Sequence, residues 1–308
     1  MQDYTEVLDL IYKKSLFQKK KIEKDFSKRD KVFFDEFNLF LTEYTAWLNS
    51  QNIDIDYAVD AYIELCADML DCQKKFLKSG EYPTKSSEMS FEQTYSNLSK
   101  MKSYMAGLAL SQFLWKTHYE IYKFYDKFIA GKAESVYSYL EIGPGHGLFL
   151  KAAITHLSNV NSFTVVDISP QSIEITKSLI EFFFKETQKV TYNNCDIMDF
   201  HNSKTYELIT MGEVLEHVAN PGALLKKIRN ILSPNGKIFI STCVNCPAID
   251  HIYHFKTVDE IRDMLSSNGL MIVNERVLPV EDFPMERIVK NNITINYCAV
   301  LSKDGSSR

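Results

Sequence analysis

Tyr139-Leu-Glu-Ile-Gly-Pro-Gly-His-Gly-Leu-Phe-Leu150 constrains this chain more than any other segment. An apolar strand ends in an acid, turns through three glycines spaced two apart, and re-enters an apolar, helix-forming run from Leu148 to Ala153. Glycine has no Cβ, so Gly143, Gly145 and Gly147 are free to take positive φ and to let a ligand approach the backbone. Such a strand-to-helix turn suits a nucleotide-like ligand at the carboxyl edge of a parallel sheet. The spacing is neither the dinucleotide fingerprint nor the phosphate loop. No lysine follows to meet a phosphate, and Glu141 brings negative charge. A ligand with a cationic or hydroxyl-bearing part is favoured over a polyphosphate.

At these residues the chain resembles the class I S-adenosylmethionine-dependent methyltransferases, whose first motif is an acid-x-Gly-x-Gly-x-Gly loop. The resemblance continues in order along ~135–303, a little over half of the chain. Ser162-Phe-Thr-Val-Val-Asp-Ile168 is a β-branched strand ending at Asp167, an acid placed to accept from both ribose hydroxyls, with Ile168 beside it. Its plainer reading is a helix N-cap. A helical run from Ile173 to Phe184 and a strand near Val190 to Tyr192 follow. In the family, the next position carries an acid that accepts from the adenine amino group. Asp196 matches it, with Ile197 flanking the ring; an Asx turn is the alternative.

A fourth strand, Tyr206 to Met211, leads into Gly212-Glu-Val-Leu-Glu-His-Val218. In the family this segment lies beside the methionine end of the cofactor, which implicates Met211 and Glu213. A helix from Pro221 to Leu232, a turn at Ser233-Pro-Asn-Gly236 and a fifth strand from Lys237 to Thr242 come next. An amphipathic helix, Val258 to Leu265, precedes two last strands, Met271 to Val277 and Thr294 to Leu301. The resemblance therefore implies an α/β fold: a Rossmann-like seven-stranded sheet, mostly parallel with an antiparallel last strand.

The chain ahead of that core differs in character. Only Gly80 and Gly107 precede Gly131, and apolar residues recur at helical spacing. An all-helical unit of about five helices is expected over 1–131, with a break at Gly80-Glu-Tyr-Pro-Thr, and the methyltransferase unit over 132–308. In enzymes resembling this one such an extension either roofs the acceptor site or makes a homodimer. The aromatics of 101–130 suit a roof, and Tyr104 is expected to reach the methionine carboxylate.

A net charge of −5 argues against a broad nucleic-acid footprint. One basic cluster, Lys13 to Lys31, carries nine Lys/Arg against three acids and reads as a solvated helix face, with a polyanion site the alternative. Six cysteines are scattered, the first residues lack a signal-peptide pattern, and no apolar run is long enough to span a bilayer. A reduced, cytoplasmic protein without a membrane partner is expected.

The acceptor side should lie beyond strands four and five. There Thr242-Cys-Val-Asn-Cys-Pro-Ala-Ile-Asp-His-Ile-Tyr-His-Phe255 places two histidines and an acid within five residues. His251 is the favoured general base, His254 the second candidate, and Asp250 an orienting carboxylate. The opposing reading is that these histidines cap or pack. No metal is expected: Cys243 and Cys246 stand only four intervening residues ahead of His251, closer than structural zinc pairs usually lie, and the alternative is a catalytic metal held by His251, His254 and a carboxylate. His217 is expected to be structural and His146 to lie along the cofactor.

The resemblance implies S-adenosylmethionine-dependent methylation, and the acidic charge and aromatic helical cover point to a small-molecule acceptor, in specialised or cofactor metabolism. The alternatives are a methyltransferase acting on a protein or RNA, and a non-catalytic S-adenosylmethionine-binding protein.

Overall fold

The computed structural model describes residues 3–86, 89, 98–184 and 190–305. Its first part is helical: α1 (Tyr4–Lys14), α2 (Leu16–Phe26), α3 (Lys31–Ser50), α4 (Ile55–Ser79), α5 (Leu98–Leu114) and α6 (Lys116–Ala130). Asp3, Ser15, Asp30 and Asp54 cap the first four by accepting from a backbone N–H of the opening turn. Six helices stand among the described residues where about five were expected. Ser15, extended at φ −147°, both closes α1 and caps α2, and so splits one apolar-periodic stretch in two. Phe33, Phe37 and Phe40 share a face of α3. Phe37 and Phe40 stack on Phe113 of α5 at ring separations of 5.2 and 4.9 Å, binding α3 to α5.

Seven strands follow: β1 (Tyr139–Ile142), β2 (Phe163–Asp167), β3 (Val190–Asn194), β4 (Tyr206–Gly212), β5 (Leu232–Val244), β6 (Leu270–Pro279) and β7 (Ile295–Lys303). They form one sheet in the order β3-β2-β1-β4-β5-β7-β6. The pairs from β3 to β5 are parallel, and β7 runs antiparallel to both of its neighbours. Ile142 is level with Val166 and with Met211, so Gly143, Asp167 and Gly212 emerge together at one edge. The expected turn at Ser233 to Gly236 is absorbed into β5: Tyr206 pairs with Leu232 but Leu208 with Lys237, leaving the four residues as a bulge.

Successive residues of β4 and β5 face opposite sides, as the period of a strand requires. Leu208 and Phe239 join one core with Tyr125 and Ile129 of α6 and with Leu150 of α7 (Leu148–His156). Ile209, Ile238 and Ile240 join another with Ile228 of α9 (Pro221–Ile231) and Ile261 of α10 (Val258–Ser267). Each such fully buried side chain stabilises the sandwich by ~1.5–3 kcal/mol. α8 (Pro170–Phe183) packs towards the helical part through Ile175 and Leu179, and α11 (Met285–Lys290) precedes β7. Although Gly131 closes α6, α6 itself packs on the sheet. Among the described residues no helix is long and apolar enough to cross a membrane.

Candidate active site

The carboxyl edge of β1, β2 and β4 opens into a cavity of about 1200 Å³, roofed by α2, α4 and α5. Its floor is the glycine loop. Gly143 and Gly145 take φ of +64° and +56°, and a Cβ on Gly143 would lie 2.7 Å from Val214. Only glycine fits there. Gly147, at φ +78°, starts α7 and does not line the cavity. Nor does Glu141. Its buried carboxyl accepts from the Tyr139 hydroxyl at 2.5 Å and bonds the Leu150 backbone, supporting the loop from beneath. Burial pushes that carboxyl up to about 8.

Asp167 lies on the cavity wall at the end of β2. Ser169, not Asp167, caps α8. Each Asp167 oxygen already accepts one bond, from Ser169 N at 2.8 Å and from Ser172 Oγ at 2.6 Å, and each keeps a lone pair for a ligand. Asp196 forms an Asx turn with Met198 N at 2.8 Å and also lines the cavity. Ile168, about half exposed, and Ile197 complete this end. Met211 is buried in the sheet core and does not reach the cavity. Its neighbour Glu213 does. Glu213 has a φ of +50°, and its buried Oε1 has no hydrogen-bond partner among the described residues. Burial and the Glu216 charge raise its carboxyl well above the usual range.

At the opposite end, Asp250 and His251 line the cavity together with Cys246 and Tyr104. The Tyr104 hydroxyl is spent on Asp250 Oδ1, at 3.3 Å, towards the acceptor loop. His217 Nδ1 lies 3.0 Å from the Asp250 carbonyl, and its ring meets that of His251 edge-on at 4.7 Å. The Glu216 carbonyl accepts from both Ile252 and Tyr253 N–H, which fixes the loop's path. Burial alone would lower His251, yet the Cys246 sulfur, with Asp250 and Glu216, holds it up at about 10. Cys246 is correspondingly brought down to about 6, first by the Cys243 thiol and also by His251. The pair is a thiolate beside an imidazolium.

His254 stands apart. Its Nε2 pairs with Asn245 Oδ1 at 2.7 Å, and its ring stacks on Tyr82 at 4.6 Å with Phe76 edge-on. It does not line the cavity. His146 does, held neutral by burial at about 4. Among the described residues three sets of donors, Cys243–Cys246–His251, Glu216–His217–His251 and Glu213–Glu216–Cys243, each have their ligand atoms within 4.8 Å of one another and could hold a divalent cation; His254 is in none.

Sequence reading missed the clamp on this loop. Cys246 N donates to Tyr82 Oη at 2.8 Å, and Thr84 Oγ1 donates to the Ile249 carbonyl at 2.5 Å. Both come from the segment after Gly80, whose composition announced only a break.

The sheet order and the glycine loop define a class I S-adenosylmethionine-dependent methyltransferase. A model described as "Methyltransferase domain" matches residues 115–275, just over half of the chain, and the chain belongs to that family. It is similar to the ubiquinone biosynthesis O-methyltransferase of Coxiella burnetii (strain Dugway 5J108-111), 31% identical over 185 residues, or 54% of this chain and 76% of the relative. Among solved structures, the N-methyltransferase NodS of Bradyrhizobium japonicum WM9, in complex with S-adenosyl-L-homocysteine, superposes with a TM-score of 0.51 at 15% identity over 70% of this chain and 98% of that one. The mitomycin 7-O-methyltransferase MmcR gives 0.53 at 10% identity, over 77% and 67%. These two likenesses show the fold. The chain is an enzyme, and S-adenosylmethionine is its cofactor.

Proposed function

We propose that the enzyme methylates a small molecule held between α5 and the loop 243–255. The observation that carries this is the single cavity of about 1200 Å³ running from Asp167 and Asp196 to Asp250 and His251. Single-ligand pockets are commonly ~300–1,000 Å³, so this one has room for cofactor and acceptor together. When bound, the cofactor supplies an electrophilic methyl group on a sulfonium, open to in-line displacement. The chain's part is to align, to exclude water and to manage a proton, and alignment alone can recover ~7–11 kcal/mol.

The residues present fit the cofactor. The free lone pairs of Asp167 suit two ribose hydroxyls, Asp196 an amino group, and Ile168 and Ile197 the faces of a flat ring. The Cβ-free turn at Gly143 and Gly145 accepts close contact, and the unpartnered Glu213 Oε1 suits the amino acid end. Tyr104 is better assigned to Asp250 than to the cofactor carboxylate. On the acceptor side, Asp250 orients His217 and Tyr104, and the Cys246–His251 pair takes up a proton from an acceptor hydroxyl, ammonium or acidic carbon. His254 positions Tyr82 and Asn245. The helical roof of α2, α4 and α5 covers the reaction.

Calorimetry with S-adenosylhomocysteine tests the cofactor end. Asp167→Ala should weaken binding about tenfold to a hundredfold, the cost of ~1.5–3 kcal/mol for a lost charged hydrogen bond. Parent-like binding by that variant would remove the assignment.

A further inference from the structure

The basic segment of α2 and its flanks is mostly exposed, but its cations are not all alike. Most of its cations are matched within the protein: Lys14 with Asp56 and Asp60, Lys19 with Glu23, Lys28 with Asp282, Arg29 with Asp25 and Glu120, and Lys31 with Asp35. Lys20, Lys21 and Lys24 have no carboxylate within salt-bridge distance among the described residues. These three line the cavity that holds the catalytic loop at its other end. Lys13, also unmatched, does not.

Helix geometry explains the grouping. Positions 20 and 24 are one turn apart, and 17, 20, 21 and 24 follow the spacing of a single face. That face also carries Phe17, about 60% exposed, and Leu70 of α4, about 42% exposed, lines the same cavity. These two side chains offer an apolar ligand body surface to cover at the cavity mouth. The Lys21 charge is felt at Cys66 and His118, which line the same cavity further in. Beyond them the wall is apolar, through Met69, Leu108 and Trp115, as far as the glycine loop and Cys246.

We propose that Lys20, Lys21 and Lys24 form an anion subsite at the outer end of the acceptor cavity. The acceptor would then be an amphiphile: a phosphate or carboxylate held at α2, an apolar body along α4 and α5, and the methylated atom at the Cys246–His251 end. This deepens the small-molecule reading above and rests on it. Three mobile ammonium groups offer charge without a fixed fork, which suits a compact anion tolerant of orientation. Asp25, Glu281 and Asp282 also line the cavity, but Asp25 is paired with Arg29, and Asp282 with Lys28 and Lys116, so the three unmatched lysines leave this end net positive and attractive to anions.

The test is calorimetry on the full-length protein, alone and with S-adenosylhomocysteine, using octyl phosphate, octanoate and octanol as probes. Octyl phosphate or octanoate should bind at least about tenfold more tightly than octanol, and the better of the two identifies the anion. The Lys20→Gln/Lys21→Gln/Lys24→Gln variant should lose that preference. Lys13→Gln should keep it, and raising NaCl from about 50 to about 500 mM should weaken it. S-adenosylhomocysteine affinity should be unchanged in the triple variant. Equal binding of anions and octanol by the parent, or an anion preference that survives in the triple variant, overturns the subsite. Failure of the parent to bind S-adenosylhomocysteine would instead remove the cofactor reading, and the anion titration on the protein alone would still decide the lysines.

Discussion

His251 Nδ1 lies 2.6 Å from the Cys246 carbonyl oxygen, and the sulfur of that same cysteine keeps the ring charged. The sequence suggested a free histidine base near an ordinary value. The fold instead supplies a buried pair in which the imidazolium, at about 10, and the thiolate, at about 6, hold one proton between them. The basic member at neutral pH is the sulfur. The acid limb of kcat/KM should therefore fall near pH 6, with a plateau above it. In Cys246→Ser the anion is gone and only Asp250 and Glu216 are left to oppose burial at His251, so the ring's value falls and the profile should change. A limb near 6.5 that is the same in parent and variant would contradict the pairing.

The same pair should leave little mark on how stability varies with pH near neutrality. Cys246, depressed, contributes stability above its unfolded value of about 9 that is lost as pH falls through about 6. His251, raised, contributes stability below its unfolded value of 6.5 that is lost as pH rises through about 10. From about 6.5 to 9 the two slopes oppose each other. The drop in Tm caused by Cys246→Ser should thus be nearly constant across that window in calorimetric scans.

His251→Ala should lower turnover by ~10²–10⁴ with cofactor affinity unchanged. His254→Ala should cost mainly packing, since its stacking on Tyr82 is worth ~0.5–1.5 kcal/mol, and should leave kcat close to the parent's. Equal loss of kcat in both variants would show that His254 reaches the chemistry after all.

The two ends of the site differed in how far they could be read in advance. Asp167 and the glycine loop were legible because each is a local pattern, a strand period ending at an acid or a turn only glycine can make, and parallel register then aligns them. The acceptor end was not. Tyr82 and Cys246 are 164 residues apart, and no local composition encodes their contact. His251 and His254 look alike three residues apart, but the loop turns one into the cavity and the other onto Tyr82. Lys20, Lys21 and Lys24 of α2 read as a solvated face and are exposed; helical spacing fixes that they share a side, but not that this side borders the cavity.

Tyr82→Phe removes the acceptor for the buried Cys246 N–H and keeps the ring against His254. An unsatisfied buried donor costs ~1–3 kcal/mol, so the variant should unfold at a lower temperature. The loop it loosens carries Asp250 and His251, so KM for the acceptor should rise while S-adenosylhomocysteine affinity holds. An unchanged acceptor KM would mean that the clamp has no part in acceptor binding.

Glu141 offers the clearest linkage measurement. Burial raises its carboxyl from 4.5 to about 8, although the Tyr139 hydroxyl and the Leu150 backbone pull it down. An acid whose folded value is raised binds more protons folded than unfolded between those two values. Stability must then decline as pH rises from about 4.5 towards about 8. Glu141→Gln keeps the shape and an acceptor for Tyr139 but cannot ionise. Its Tm should lose that decline and exceed the parent's near pH 8. Because Glu141 lies beneath the loop and not on the cavity wall, S-adenosylhomocysteine affinity should change little. A large loss of affinity without a change in the pH dependence of Tm would place Glu141 in direct contact with the cofactor.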